Sequence, residues 1–159
     1  MNYADAKFKA DEVLTALKPY CKRIEIAGSI RRKKLIDIKD IEICLVPDNA
    51  SLPILRHLIN HTWGVPTIGK WPAKYTKIRE TKDIDIFTGS EQNWGLLFFI
   101  RTGPAEYAAK ALAHWKKFTG GGFSEGCVLH TADGTKVPTL EEQDVFEALR
   151  WPYMEPESR

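Results

Sequence analysis

Residues 40–46, Asp-Ile-Glu-Ile-Cys-Leu-Val, constrain the fold more than any other stretch. On a strand, side chains two apart share a face. Ile41, Ile43 and Leu45 therefore point one way, while Asp40, Glu42, Cys44 and Val46 point the other. Both faces are apolar over most of the length. Such a strand belongs inside a sheet covered on both sides, with its two acids at one end. Pro47 closes it. Two carboxylates held together in this way repel each other unless cations neutralise them, and Mg²⁺ takes hard oxygen ligands of this type.

A second segment, Asp83-Ile84-Asp85-Ile86-Phe87, repeats the pattern. If it forms a neighbouring strand, it brings a third carboxylate to the first two. Three carboxylates can hold two metal ions about 3.5–4 Å apart, activating a hydroxyl and neutralising a phosphoryl centre. The same alternation also suits a sheet edge on which Lys39, Arg79 or Lys82 partners the acids. Either motif alone suits the sheet edge better, and the two together bring the metal reading level with it.

The flanking elements predict a mixed α+β protein. Residues 3–20 carry Ala4, Phe8, Val13, Leu14 and Leu17 at helical spacing, up to Pro19. Residues 23–27 alternate as a strand and run into Gly28-Ser29. Residues 51–62 read as a helix, and 74–87 as two short strands around Glu80-Thr81-Lys82. After the apolar run Trp94–Ile100 and the break at Thr102-Gly103-Pro104, residues 105–117 are strong helix formers. Gly120–Gly122 and Asp133-Gly134 bracket a hairpin. A last helix near 141–149 is expected to start from a Thr139-Leu-Glu-Glu capping box. Strands and helices mix without a regular βαβ alternation, and a soft boundary falls near residue 90.

The chain of 159 residues, 43% hydrophobic and 28% charged, is long enough for one compact domain or two small ones. No apolar run approaches the roughly 20 residues that span a bilayer. The start, Met1-Asn2-Tyr3-Ala4-Asp5, lacks a secretory layout, so an intracellular, cytoplasmic protein is expected. Three cysteines, widely spaced and without a CxxC, argue against a disulfide scaffold or zinc ribbon. Charge is uneven. Residues 22–39 carry seven Lys or Arg against two acids, and residues 133–159 carry three against seven. A basic front that meets a polyanion, backed by an inert acidic side, fits this distribution; two solvated faces fit it equally.

Gly28-Ser29-Ile30-Arg31-Arg32-Lys33-Lys34 follows the first strand directly. Glycine permits close backbone approach, the Ser hydroxyl and amides donate to phosphate, and arginine offers a planar fork. A triphosphate suits the arrangement, although the P-loop pattern is absent.

These pieces together resemble a known family. Ala27-Gly28-Ser29-Ile30-Arg31-Arg32, Lys39-Asp40-Ile41-Glu42-Ile43 and Asp85-Ile86-Phe87 are similar to the palm of family X DNA polymerases, the polymerase beta type within the nucleotidyltransferase superfamily. Trp94–Phe99, with Arg101-Thr102-Gly103-Pro104-Ala105-Glu106-Tyr107, resembles the family's aromatic strand and its turn into the thumb. The ending, Glu141–Phe146 with Trp151-Pro152-Tyr153-Met154-Glu155-Pro156, resembles its C-terminal signature.

The resemblance implies an α+β fold: a nucleotidyltransferase palm over 1–90, a mixed sheet flanked by helices, then a small α+β thumb over 91–159. It implies Asp40, Glu42 and Asp85 as ligands of two Mg²⁺ ions, with Mn²⁺ a possible substitute. It places Gly28, Ser29, Arg32, Phe98, Phe99 and Gly103 around an incoming dNTP. DNA, as primer-template or gapped duplex, would meet Arg31, Lys33, Lys34, Lys74, Lys77, Arg79 and Lys110. The implied activity is dNMP transfer to a primer 3′-hydroxyl by a monomer filling short gaps in repair. A template-independent or non-DNA nucleotidyltransferase, and a non-catalytic nucleic-acid-binding module, are the alternatives. This sequence departs from the family in having Glu42 for Asp, Asp83 at a basic position, and Phe98-Phe99 two residues farther from Thr102-Gly103.

Overall fold

The structure is a computed structural model that describes residues 1–62, 76–79 and 83–159, with the backbone alone for 62 and 76–79. The expected α+β class is what forms. In chain order the elements are α1 (Tyr3–Leu17), β1 (Cys21–Ile26), a single turn α2 (Gly28–Arg31), β2 (Ile41–Pro47), α3 (Leu52–Thr62), β3 (Thr76–Arg79) and β4 (Ile84–Thr88). There follow α4 (Trp94–Thr102), α5 (Ala105–Phe118), β5 (Phe123–Glu125), β6 (Val128–His130), β7 (Lys136–Val137) and α6 (Glu142–Leu149).

The larger sheet has the order β1-β2-β4-β3. β2 pairs antiparallel with β1 and parallel with β4, while β3 pairs antiparallel with β4. Its mixed hydrogen bonding places β2 in the interior, as alternation of apolar residues on both faces requires. Ile41, Ile43, Leu45, Ile84 and Ile86 form one buried cluster with α1 and α3 residues such as Leu17, Leu55 and Ile59. Cys44, Val46 and Phe87, on the opposite face, pack with Ala27, Trp94, Leu97 and Phe98. Glu42 and Asp85 fall on this second face by parity, and Asp40 and Asp83 immediately precede the two strands.

The run at 94–100 is a helix, not the aromatic strand that the family resemblance implied. Its residues are buried all round because α4 is wedged between two cores. Trp94, Leu97 and Phe98 face the large sheet. Leu96 and Phe99 face a separate cluster with Trp115, Leu129, Phe146 and Leu149. A helix that is apolar on every side shows no amphipathic period, so the sequence pattern could not announce it.

Thr139 also does a different job from the one expected. The capping box of α6 is formed by Glu141 and Asp144, with the Asp144 carboxylate accepting from the Glu141 amide at 2.8 Å. Thr139 instead satisfies the start of α4. Its carbonyl accepts from the Gly95 amide at 2.8 Å and its hydroxyl from the Leu96 amide at 3.0 Å. Gly95 is required for this contact, since a Cβ there would lie 2.1 Å from the Glu141 carbonyl oxygen and 2.9 Å from that of Thr139. Gly95→Ala should therefore destabilise the protein by about 3 kcal/mol, the upper range for overpacking against backbone. A thermal melt with the wild-type midpoint would refute that contact.

The three-stranded sheet β5-β6-β7 is antiparallel. Leu129 and Val137 on one face join the cluster that holds Phe146. No described helix is long and apolar enough to cross a membrane.

Candidate active site

Glu42 and Asp85 are register partners on the parallel pair β2–β4. The Ile41 amide donates to the Asp83 carbonyl at 2.6 Å, which fixes the same register at the strand entrances. Asp85 is buried at 4% exposure and Glu42 is half-buried. Burial pushes the Glu42 carboxyl up to about 7, and Asp40 and Asp85 push the same way against Arg101 and Arg32. Of the two aspartates on the second motif, Asp85 shares a register with Glu42 and adds to this upward push.

The turn after β1 comes against these acids. Gly28 has φ +62°, and a Cβ there would lie 2.1 Å from Glu42 Oε2. Only glycine lets the carboxylate pack so closely onto the turn. Ser29 Oγ accepts from Arg32 Nη2 at 3.1 Å. Arg32 Nη1 also donates to the Thr102 carbonyl. Gly103 sits beside it: its φ is +63°, its bond to Pro104 is cis, and a Cβ on it would be 3.1 Å from Arg32 Nη1. Burial lowers the Arg32 pKa, offset in part by Glu42 and Asp40. Gly28, Ser29, Arg32, Gly103 and Glu42, singled out in separate parts of the sequence, therefore converge.

Other expected site residues lie elsewhere. Phe99 is 1% exposed and packs edge-on against Phe146. Phe98 is 8% exposed, stacked with Trp94 and covered by the Arg31 guanidinium at 3.8 Å from its ring centroid. As placed, neither ring offers a face to a nucleotide; both serve the cores on either side of α4.

Arg31, expected on DNA, is a structural tie. It forms a two-pronged pair with Glu142 at 2.8 and 2.7 Å and donates to Thr102 Oγ1 at 2.5 Å. Arg159 reaches the same carboxylate at 2.6 Å. Lys33 pairs with Glu157, and Arg23 makes a fork on Glu141 at 2.7 and 2.8 Å. The basic front and the acidic tail are thus joined to each other, which overturns the picture of an inert acidic far side. Lys33, Lys34 and Lys110 remain on the surface. Lys74 lies outside the described residues, as do the side chains of Lys77 and Arg79.

Arg101 was missed. Its guanidinium lies over the Phe87 ring at 4.1 Å and its charge acts on Glu42. A lone basic residue closing an apolar run just before Thr102-Gly103 was the available signal. The cysteines are free, and burial pushes Cys21 to about 12 and Cys127 to about 11, so both thiols are inert at neutral pH.

The donors present suit a divalent cation. Buried carboxylate oxygens from adjacent strands repel one another, and a hard cation would relieve exactly that repulsion of charge. Among the described residues, no three His, Cys, Asp or Glu side chains form a ready-made cage, so ion binding would require the side chains to turn.

The raised Glu42 pKa has a thermodynamic consequence. Between about 4.5 and 7 the folded protein holds a proton on Glu42 that the unfolded chain has released. Its contribution to stability therefore falls as pH rises across that window. In chelator-treated protein, Glu42→Gln should flatten this slope, as read from melting temperature against pH. An unchanged slope would contradict the crowding of charge described above.

A family model described as the DNA polymerase beta thumb matches residues 98–159. The match begins within α4 and covers α5, the small sheet and α6. It supports a family X polymerase-like relationship over that stretch and a polymerase-related or DNA-binding role. No curated protein matches the chain.

Proposed function

We propose that this chain is a DNA polymerase of the polymerase beta kind, transferring a dNMP to a primer 3′-hydroxyl at Asp40, Glu42 and Asp85. The observation that carries the reading is the pairing of Glu42 with Asp85 on one sheet face, against the Gly28-Ser29 turn. Residues 1–90 would be the palm and 91–159 the thumb, with α4 packed into both cores.

In this reading the three carboxylates hold two Mg²⁺ ions, with Mn²⁺ able to replace them. Bound ions would supply the positive charge that activates the hydroxyl and neutralises the α-phosphoryl centre. The chain's own residues do the positioning. Ser29 and the Gly28 turn donate to the β- and γ-phosphates, and Arg32 places its fork on the same oxygens. Gly103 leaves room for Arg32. Pyrophosphate leaves in line with the attacking oxygen, and fixed charges carry most of the rate enhancement. Exposed Lys33, Lys34 and Lys110 would meet the DNA backbone.

Primer extension on a gapped duplex with Mg²⁺ and dNTPs tests this directly. Wild type should extend by template-matched nucleotides, and Asp40→Ala should not, with an unchanged circular dichroism spectrum. Extension indifferent to template would indicate an untemplated nucleotidyltransferase. The match to the thumb alone favours a second reading, a DNA-binding module without catalysis. Duplex binding by both proteins, with extension by neither, would establish it.

A further inference from the structure

Residues 32–40 connect α2 to β2 and carry a feature that the acid cluster does not use. At their tip Leu35 is 72% and Ile36 64% exposed. Among the described residues, these are the one pair of exposed large apolar side chains adjacent in sequence. Single exposed aliphatics are ordinary, whereas contiguous apolar surface rimmed by polar groups marks a contact. Three lysines, Lys33, Lys34 and Lys39, flank the pair against one acid, Asp37, and all four are exposed.

The tip is held outward by its own backbone. Ile38 is 2% exposed and anchors the segment in the core. The Leu35 carbonyl accepts from the Tyr3 amide at 3.0 Å, and the Ile38 amide donates to the Met1 carbonyl at 3.1 Å. On the other side the Lys34 amide donates to the Ser29 carbonyl at 3.0 Å. Lys33 and Asp37 both have φ +54°, a left-handed value that non-glycine residues keep only where the surrounding structure imposes it. The Lys34 ammonium closes the loop on the Asp37 carbonyl at 3.1 Å and keeps further N–H donors for an outside partner. Turning Leu35 and Ile36 inward would break these bonds.

We propose that Leu35 and Ile36 are a wedge that enters duplex DNA where a gap interrupts its base stack, with Lys34 and Lys39 on the flanking phosphates. Leucine and isoleucine are among the side chains that proteins insert between base steps. Insertion costs least where the stack is already broken. The net positive charge of the loop complements the phosphates. A membrane is the weaker partner, because the two side chains together hold fewer carbons than one myristoyl chain, which alone binds only marginally. The loop also joins the Gly28-Ser29 turn to Asp40, so the wedge opens the duplex beside the proposed acid site. The wedge rests on the DNA-binding part of the function proposed above and requires none of its chemistry.

A gapped duplex with 2-aminopurine beside the gap and fluorescein at one end reads both unstacking, by 2-aminopurine emission, and affinity, by fluorescein anisotropy. The full chain should raise the emission. It should also bind the gapped duplex about tenfold or more tighter than the intact duplex, the scale of burying one aliphatic side chain. The double variant Leu35→Ser, Ile36→Ser should lose the preference and the rise while still binding the intact duplex. Leu35→Met with Ile36→Met should keep both. The positions are exposed, so melting temperatures should match wild type. Equal affinity of wild type for the two duplexes, or a preference and rise untouched by the serines, would overturn the wedge and leave DNA binding standing. Absence of binding to either duplex would overturn both together. Serine-sensitive binding to phosphatidylserine vesicles in place of DNA would assign the tip to a membrane and overturn the wedge.

Discussion

Asp85→Asn should reduce primer extension about 10³-fold while leaving stability within about 1 kcal/mol of wild type. The magnitude is that of removing one charged group from a pre-arranged site where transition-state charge develops. Asn keeps the volume of the buried side chain, so no cavity is made. Its neutrality also removes one of the charges that push Glu42 upward. In the apoprotein, relief of that repulsion offsets contacts the carboxylate makes. Rates and melting temperatures together separate chemistry from folding. Extension within tenfold of wild type would remove Asp85 from the reaction, and a collapse in stability would make it a structural acid.

Glu142→Ala should destabilise the protein by about 3–5 kcal/mol, because it strips the shared partner from two arginines. Glu142 is 8% exposed in its side chain, Arg31 19% and Arg159 0%. Burial would push the Glu142 carboxyl up, but hydrogen bonds from Arg31 and Arg159 outweigh this and hold it below its ordinary value. The carboxylate therefore contributes stability that is lost as pH falls through that lowered value. Without it, the Arg31 and Arg159 guanidiniums lose the carboxylate they share. A drop in melting temperature of about 10 °C is expected for a chain of this size. A midpoint shift of about 2 °C or less would show that the triad contributes little.

The substitution reaches the site as well. Arg31 adjoins Arg32, and both donate to Thr102. Glu142 thus couples the last helix to the turn that carries Ser29. Its loss is expected to raise the KM for dNTP in whatever fraction remains folded.

Much of the large sheet was legible because its periods are plain. The alternation from residue 40 to Val46, apolar on both faces, announces β2, which forms as Ile41–Pro47 with Asp40 just before it. Asp85 follows from the same parity. Parallel pairing of β2 with β4, the feature that brings Glu42 beside Asp85, is not written in either strand. It is a contact between segments far apart in sequence.

What stayed hidden shares one cause: partners far apart in sequence. α4 has no polar face because two cores enclose it. Thr139 looked like the cap of the helix after it, yet its hydroxyl is taken by the helix before it. Arg31 had the composition of a DNA contact, while Glu142 claims it from the other end of the chain. Charge counted by segment could not show that the basic and acidic ends bind each other. Convergence of Gly28, Arg32 and Gly103 likewise needed the fold, although each residue was suspect alone.

The most direct test is to count bound ions by Mn²⁺ electron paramagnetic resonance in the presence of a non-hydrolysable dNTP. Wild type should take up about two Mn²⁺ per chain, and Asp85→Asn and Glu42→Gln should each bind fewer or bind them more weakly. Free Mn²⁺ signal unchanged by wild-type protein, or uptake indifferent to both substitutions, would contradict a metal site built from these two strands.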